Sequence, residues 1–311
     1  MVSAERRDVT GGVSAGPLFP ADVTVTDDAP MKVHLAKSAG FCFGVKRALR
    51  IAAETAAAGG RVFMLGELVH NEHVLRDIEK QGIGRIRRLS RGRGPRVLLI
   101  SAHGVPESVM KKAARLGYRV VDATCPMVKH IHRIAADIEK RGRKVLVIGD
   151  RDHDEVRGIV GQLKKRAIVI DSKARLPLAE LRGIRKAGVV VQSTQDGSTV
   201  GKIVAALRAE IGDLEFRDTI CKPTVSKQTE IKLLAKENDV VVIIGSGTSA
   251  NTKRLFEISK ALNPKTHRIG SVDDIDPRWF SGARSAGVSA GASTPEMLTR
   301  EVVAFLSRAE G

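Results

Sequence analysis

Apolar runs recur along the chain, and each ends in a polar loop. VLLI (Val97–Ile100) runs into SAHG, VLVI (Val145–Ile148) into GDRDHDE, and VVII (Val241–Ile244) into GSGTSAN. Runs apolar at every position suit strands covered on both faces by helices, as in parallel sheets. The pattern predicts strands at Lys32–Leu35, Arg61–Leu65, Arg96–Ala102, Arg119–Val121, Lys144–Ile148, Ala167–Ile170, Gly188–Gln192 and Asp239–Ile244. Helical periodicity falls between them, at Val45–Ala58, Glu107–Leu116, Met127–Arg141, Glu155–Lys165, Thr199–Ile211, Ser226–Lys236, Thr252–Leu262 and Pro295–Arg308. Alternation of this kind predicts an α/β fold with parallel sheets. Loops at the carboxyl ends of parallel strands are where such folds bind ligands. Recurrence of this arrangement suggests a repeated α/β unit, although the sequence self-similarity is too weak to prove a repeat.

Composition narrows this. At 311 residues the chain has room for two or three domains. No apolar run approaches the roughly 18 residues of a membrane helix. The first 30 residues lack an apolar signal region and read as a flexible leader, so a cytoplasmic location is expected. The net charge of +17 suits nucleic acid, an acidic protein partner or a phosphorylated substrate. Aromatic content of 3% argues against a base-stacking platform for single strands. Six arginines in GRIRRLSRGRGPR (Gly84–Arg96) read as a solvated loop, or as a patch for an acidic partner.

The chemistry-bearing residues sit at strand-to-helix turns. Cys42 lies in AGFCFGVKRAL, Cys125 in DATCPMVKH and Cys221 in DTICKPTVSKQ. At Cys42, near the start of a helix, unpaired N–H groups and a positive dipole favour a thiolate, and the settings of the other two match. Spacings of 83 and 96 residues exclude zinc-ribbon or bacterial-ferredoxin patterns. Three thiols on separate turns can still converge, and three thiolates leave one iron of a four-iron cluster open to substrate. His70, His103 and His153 lie in polar loops, and Glu155, two residues after His153, could relay protons. His34, His73, His130, His132 and His267 read as ordinary surface or core histidines. GSGTSAN and AGASTPE, each ahead of a helix, suit a phosphate. Gln192, Ser193 and Thr194 add hydroxyls at a strand end.

In order, AGFCFGVKRAL, GELVHN, SAHGV, DATCP, HDEVRGIVGQ, TIC, the Ser/Asn loop before KRL and AGASTP resemble the 4-hydroxy-3-methylbut-2-enyl diphosphate reductase family. The resemblance runs from about Lys32 to Phe305. It implies three similar α/β domains in pseudo-threefold arrangement around a central [4Fe-4S] cluster, one per chain. The domains would be 43–124, 125–220, and 221–308 completed by 32–42, after a leader at 1–31. Cys42, Cys125 and Cys221 become the cluster ligands. His70, His103, His153, Ser193, Ser249, Ala250, Asn251 and Ser293 bind substrate. Glu155, His153 and Ser193 form the catalytic group. The implied reaction is a reductive dehydroxylation: the substrate hydroxyl binds the open iron, and isopentenyl and dimethylallyl diphosphate form. Electrons are expected from an acidic ferredoxin or flavodoxin. The family commonly has two serines where this chain reads Ser249-Ala250, Thr-Thr where it reads Ser193-Thr194, and Arg-Gln where it reads Lys227-Gln228. Two alternatives remain: a paralogue acting on another allylic diphosphate, and a basic nucleic-acid-binding protein with a structural or sensory cluster.

Overall fold

The computed structural model describes residues 31–308, so the expected leader, up to residue 30, lies outside the described residues. Twelve strands build three four-stranded sheets, every pairing parallel. One holds β2 (Arg61–Leu65), β3 (Gly84–Ile86), β4 (Arg96–Ile100) and β5 (Tyr118–Asp122), in the order β3-β2-β4-β5. The next holds β6 (Lys144–Ile148), β7 (Ile168–Ile170), β8 (Lys186–Val191) and β9 (Asp213–Phe216), in the order β7-β6-β8-β9. The last holds β10 (Val240–Ile244), β11 (Thr266–Ile269), β12 (Ser285–Ala290) and the chain's first strand, β1 (Lys32–Leu35), in the order β11-β10-β12-β1. Each sheet thus follows one rule: first and third strands at the centre, second and fourth at the edges. In the last sheet β1 fills the fourth place by pairing with β12 from Lys32↔Ser285 to Leu35↔Val288.

Helices cover both faces of the sheets. α1 (Phe43–Ala57), α4 (Pro126–Lys140) and α8 (Lys222–Glu237) each follow the fourth strand of one sheet. The others are α2 (Glu72–Lys80), α3 (Glu107–Arg115), α5 (Asp154–Val160), α6 (Leu178–Leu181), α7 (Gly197–Glu210), α9 (Ala250–Leu262) and α10 (Glu296–Leu306). The central strands β4, β10 and most of β6 and β8 are buried at successive positions, as a sheet covered on both faces requires. No helix among the described residues is long and apolar enough to cross a membrane.

The strands without a sequence signal are β3, β9, β11 and β12. The first three are short edge strands, and β12 is built largely from small residues. The Arg-rich stretch is not wholly a loop. It opens on β3, and Arg96 is buried on β4, its guanidinium 4.1 Å from the Tyr118 ring centre and donating to Ser90 O, Leu116 O and Tyr118 Oη. Helix α5 stops before Gly161, short of the Lys165 expected from periodicity. A Cβ on Gly161 would meet Pro106 Cβ at 2.4 Å, and Gly161 O accepts from Glu107 N, so the next turn is displaced by packing against the neighbouring unit.

Candidate active site

Parallel sheets of this order have their switch point between the first and third strands, and a ligand crevice opens at the carboxyl ends there. Each sheet supplies one pair of loops to a common cavity. The loops after β2 and β4 bring His70 and His103. Those after β6 and β8 bring His153, Glu155, Ser193 and Thr194. Those after β10 and β12 bring Ser249, Ala250, Asn251 and Ser293. The same cavity is lined by Cys42, Cys125 and Cys221. All twelve site residues expected from sequence therefore meet at one point, although they come from three sheets.

Each cysteine is the N-cap residue of a helix, α1, α4 or α8. Each is pinned to the loop after the third strand of its sheet: Cys42 N donates to Ala292 O at 3.1 Å, Cys125 N to Ala102 O at 3.0 Å and Cys221 N to Ser193 O at 3.0 Å. Those loops also carry Ser293, His103 and Ser193, so one backbone bond in each unit joins a thiol to the ligand loop. The helix ends pack closely: a Cβ on Gly44 would lie 2.6 Å from Cys125 Sγ and 3.9 Å from Cys42 Sγ. Only glycine lets α1 approach the second thiol this way.

The three thiols are free and half-buried. Burial pushes Cys125 and Cys221 up, the charge of Cys42 adds to both, and N–H donors from Met127, Val128 and Thr224 offset this only in part. At these two the N-terminal helix position does not by itself favour a thiolate, because desolvation outweighs the dipole. A cation in their midst reverses the balance, since a coordinated thiol loses its proton. Three convergent soft donors with no bond between them fit an iron–sulfur group.

The histidines form a second cluster. His70 and His103 stack at 4.3 Å, and His153 meets their edges at 5.2 and 5.3 Å. One ring nitrogen from each falls within 4.8 Å of the others. Burial and the neighbouring rings hold His103 well below the ordinary histidine range, and burial with His70 lowers His153 to about 4. His153 Nδ1 accepts from Glu155 N at 3.1 Å, so Nε2 carries the proton of the neutral ring. His103 Nδ1 and Asn251 Nδ2 are buried and without protein partners. An unpaired buried donor costs free energy unless a ligand accepts from it. Helix α9 adds first-turn N–H groups, with Ser249 Oγ accepting from Thr252 N as its cap. Donors in this arrangement suit an oxyanion.

Between the two clusters lies Glu155. It is 2% exposed, and accepts from Ser193 N at 2.7 Å and Ser193 Oγ at 2.8 Å. Burial raises its carboxyl to about 7 against the pull of both bonds. It is a protonatable acid at neutral pH, in contact with the hydroxyl expected to accompany it.

Sequence reasoning missed the groups that hold the loops together. Arg254 is buried and donates to Asp150 Oδ1 at 2.8 Å, Gln195 Oε1 at 3.0 Å and Ser172 Oγ at 3.0 Å, tying α9 to the loop before His153. Lys227 is buried and donates to Ser38 O, Gly40 O and Ala290 O, fixing the turn before Cys42. The only sequence signal for Arg254 was a charge inside an otherwise helical pattern, and Lys227 stood out only as a lysine where the family commonly has arginine. Of the histidines set aside, His34 bonds Asn238 Oδ1 at 2.7 Å and His267 stacks on Trp279.

Comparison with known proteins agrees with this geometry. Residues 33–307 match the model of the LytB protein family. Proteins named 4-hydroxy-3-methylbut-2-enyl diphosphate reductase from Geotalea uraniireducens and Geobacter sulfurreducens are 40% and 41% identical over 276 and 280 residues, each covering 88% of this chain and 96% of the relative. A solved structure of (E)-4-hydroxy-3-methyl-but-2-enyl diphosphate reductase, described as the terminal enzyme of the non-mevalonate pathway, aligns with TM-score 0.64 at 34% identity. It covers 87% of this chain and 96% of its own. The Plasmodium falciparum E-1-hydroxy-2-methyl-but-2-enyl-4-diphosphate reductase aligns with TM-score 0.81 at 26% identity, covering 89% and 88%. With three like-ordered parallel sheets, three convergent thiols and a match along nearly all of its described length, the chain belongs to the LytB family of oxidoreductases.

Proposed function

We propose that the protein reduces 4-hydroxy-3-methylbut-2-enyl diphosphate to isopentenyl and dimethylallyl diphosphate. The substrate takes up two electrons and two protons, its C–O bond breaks, and water leaves. The observation that carries this reading is the placement of a buried, protonatable Glu155 in one cavity with three free thiols and unpaired donors for an anion.

Cys42, Cys125 and Cys221 would hold a [4Fe-4S] cluster, which supplies electrons and Lewis acidity when bound. The histidine cluster and the α9 N-terminus receive the diphosphate. Asn251 Nδ2 and His153 Nε2 donate to its oxygens. Ser249 and Ser293 add hydroxyls, and Ala250 offers a backbone N–H where relatives commonly have a serine. The anion's charge also offsets the desolvation that keeps His103 and His153 neutral. Glu155 gives its proton to the departing hydroxyl, because hydroxide is a poor leaving group. Ser193 Oγ holds the carboxyl in place and then stabilises the carboxylate left behind. The apolar walls exclude water, which strengthens each of these contacts. The sheet membership supports division into units at 43–124, 125–220, and 221–308 with 32–42.

Anaerobically purified protein tests the reading. Four irons per chain and formation of both five-carbon diphosphates are expected with a strong reductant. Protein that takes up no iron and sulfide on reconstitution refutes it. A loaded cluster without turnover refutes this substrate and favours another allylic diphosphate, with Ala250→Ser the next variant to assay.

A further inference from the structure

Three cationic side chains are buried among the described residues: Arg96, Lys227 and Arg254. Arg254 pairs with Asp150 and Glu257, each at 2.8 Å. Arg96 lies against the ring of Tyr118. Lys227 has neither a carboxylate nor a ring. It is 2% exposed, and its ammonium donates to three carbonyl oxygens, Ser38 O, Gly40 O and Ala290 O. Three donors are the full set of an ammonium, so its hydrogen bonds are complete. Its charge is not answered. An ammonium is a compact, strongly hydrated cation, and burying one without an anion is costly. Glu230, one turn further along α8, forms no ion pair with it among the described residues and instead accepts from Ser38 N and Ser38 Oγ at 2.9 Å.

Every bond of Lys227 leads towards the thiols. It stands on α8, the helix that begins at Cys221. Ser38 and Gly40 belong to the turn before Cys42, and Ala290 leads into the loop whose Ala292 O accepts from Cys42 N. Burial brings the ammonium down to about 8, against the opposing charges of Cys42, Glu230 and Cys221. Lys227 does not line the thiol cavity, so it is a positioning residue that acts from behind the thiols and not on substrate.

We propose that Lys227 is the counter-charge to an iron–sulfur cluster held by the three thiols, and that it raises the reduction potential of that cluster. The inference rests on the reductase reading for the cluster and adds a residue that tunes it. A cluster with three thiolate ligands is anionic and gains a further negative charge with each electron. A fixed buried cation stabilises the reduced form more than the oxidised form, which eases electron uptake. The same ammonium holds the turn before Cys42, so the test must separate charge from shape.

Lys227→Gln makes that separation, because the amide keeps N–H donors for the carbonyls and loses the charge. Lys227→Arg keeps the charge. Anaerobic, cluster-loaded full-length protein is titrated with dithionite and redox mediators, and the reduced cluster is followed by electron paramagnetic resonance. In Lys227→Gln the ratio of reduced to oxidised cluster at fixed potential should fall about tenfold or more, a one-electron midpoint lower by about 59 mV or more. Lys227→Arg should keep that ratio within about threefold of the parent. An unchanged midpoint in Lys227→Gln overturns the proposal. So does an equal fall in Lys227→Arg, since altered shape is then the cause. If Lys227→Gln assembles no cluster, Glu230→Gln decides: with the opposing carboxylate neutralised the midpoint should rise, and one that does not move overturns the proposal. No substrate enters these titrations. A parent that holds the cluster and fails to turn over refutes the reductase reading, while the midpoints still judge this inference on their own.

Discussion

Replacing Glu155 by Gln removes a proton donor while keeping the shape that Ser193 holds. The amide oxygen can accept from Ser193 N, and the amide nitrogen can donate to Ser193 Oγ, so the two contacts at 2.7 and 2.8 Å persist with one reversed. The carboxyl of Glu155 lies at about 7 rather than its ordinary 4.5, with burial as the cause. At pH 7 that leaves about half of it protonated, against roughly 0.3% for an ordinary glutamate, a gain of about 150-fold in available acid. The same shift costs roughly 3 kcal/mol of stability once the group ionises. A raised folded pKa means this cost is absent below the unfolded value of 4.5, grows between 4.5 and 7, and is complete above 7. The parent kcat/KM, which reports the free enzyme, should therefore fall as pH rises through about 7, and kcat should fall slightly higher, where the bound diphosphate pushes the carboxyl further up. Glu155→Gln should lose about 10²–10⁴-fold in kcat and lose this descending limb. Its urea midpoint should gain on the parent's between pH 5 and 8. Ser193→Ala removes a hydrogen bond to the charged form worth about 1.5–3 kcal/mol, which moves the limb up by about one to two pH units. Rates are measured anaerobically with methyl viologen as reductant. A descending limb that survives unchanged in Glu155→Gln refutes the assignment, and so does a parent limb below pH 5.5.

Gly44→Ala puts a Cβ 2.6 Å from Cys125 Sγ, so iron per chain after reconstitution should fall below half that of the parent, measured by iron and sulfide assay. Asn251→Ala removes a buried donor from the anion site. It should raise KM for the diphosphate about tenfold or more with iron content unchanged, since a hydrogen bond to a charged group is worth about 1.5–3 kcal/mol. Lys227→Met leaves Ser38 O, Gly40 O and Ala290 O without their shared donor. The urea-derived stability should drop by roughly 3 kcal/mol, the scale of leaving buried polar groups unpaired. Lys227→Arg should recover much of that loss.

The central strands were legible from local composition, whereas the site residues as a set came with the family resemblance of the motifs that carry them. VLLI, VLVI and VVII are buried on both faces, so no polar residue interrupts them, and the loops that follow must supply ligand groups. The edges were not legible in the same way. β3, β9 and β11 are short, and their polar positions carry no alternation long enough to read. β1 was seen as a strand, yet nothing local says that its partner is β12, more than 250 residues away, because register is set by tertiary packing. Arg254 and Lys227 were hidden for a related reason. Each is a charge inside a helix, where exposure is the ordinary expectation, and only packing reveals the carbonyls and carboxylates that make burial tolerable.

The repeated strand order explains why one chain can assemble both halves of the proposed site. Each unit ends its first and third strands at the crevice and its fourth at a cysteine, so three units present three ligand-loop pairs and three thiols. The loop pairs have since diverged. One supplies two histidines, one an acid with its hydroxyl partner, and one the donors of a helix N-terminus. The thiols are the same in all three units, as the proposed cluster would require of its ligands. Threefold repetition would supply Cys42, Cys125 and Cys221 to a four-iron cluster and leave one iron without a protein donor. On this reading the open coordination position follows from the symmetry of the fold, and the divergent loops face it because they end at the same crevice. Filling that position with a protein ligand, for instance through Thr224→Cys beside Cys221, should leave the cluster assembled and abolish turnover. Full activity with such a ligand shown bound by electron paramagnetic resonance would separate the chemistry from the open position.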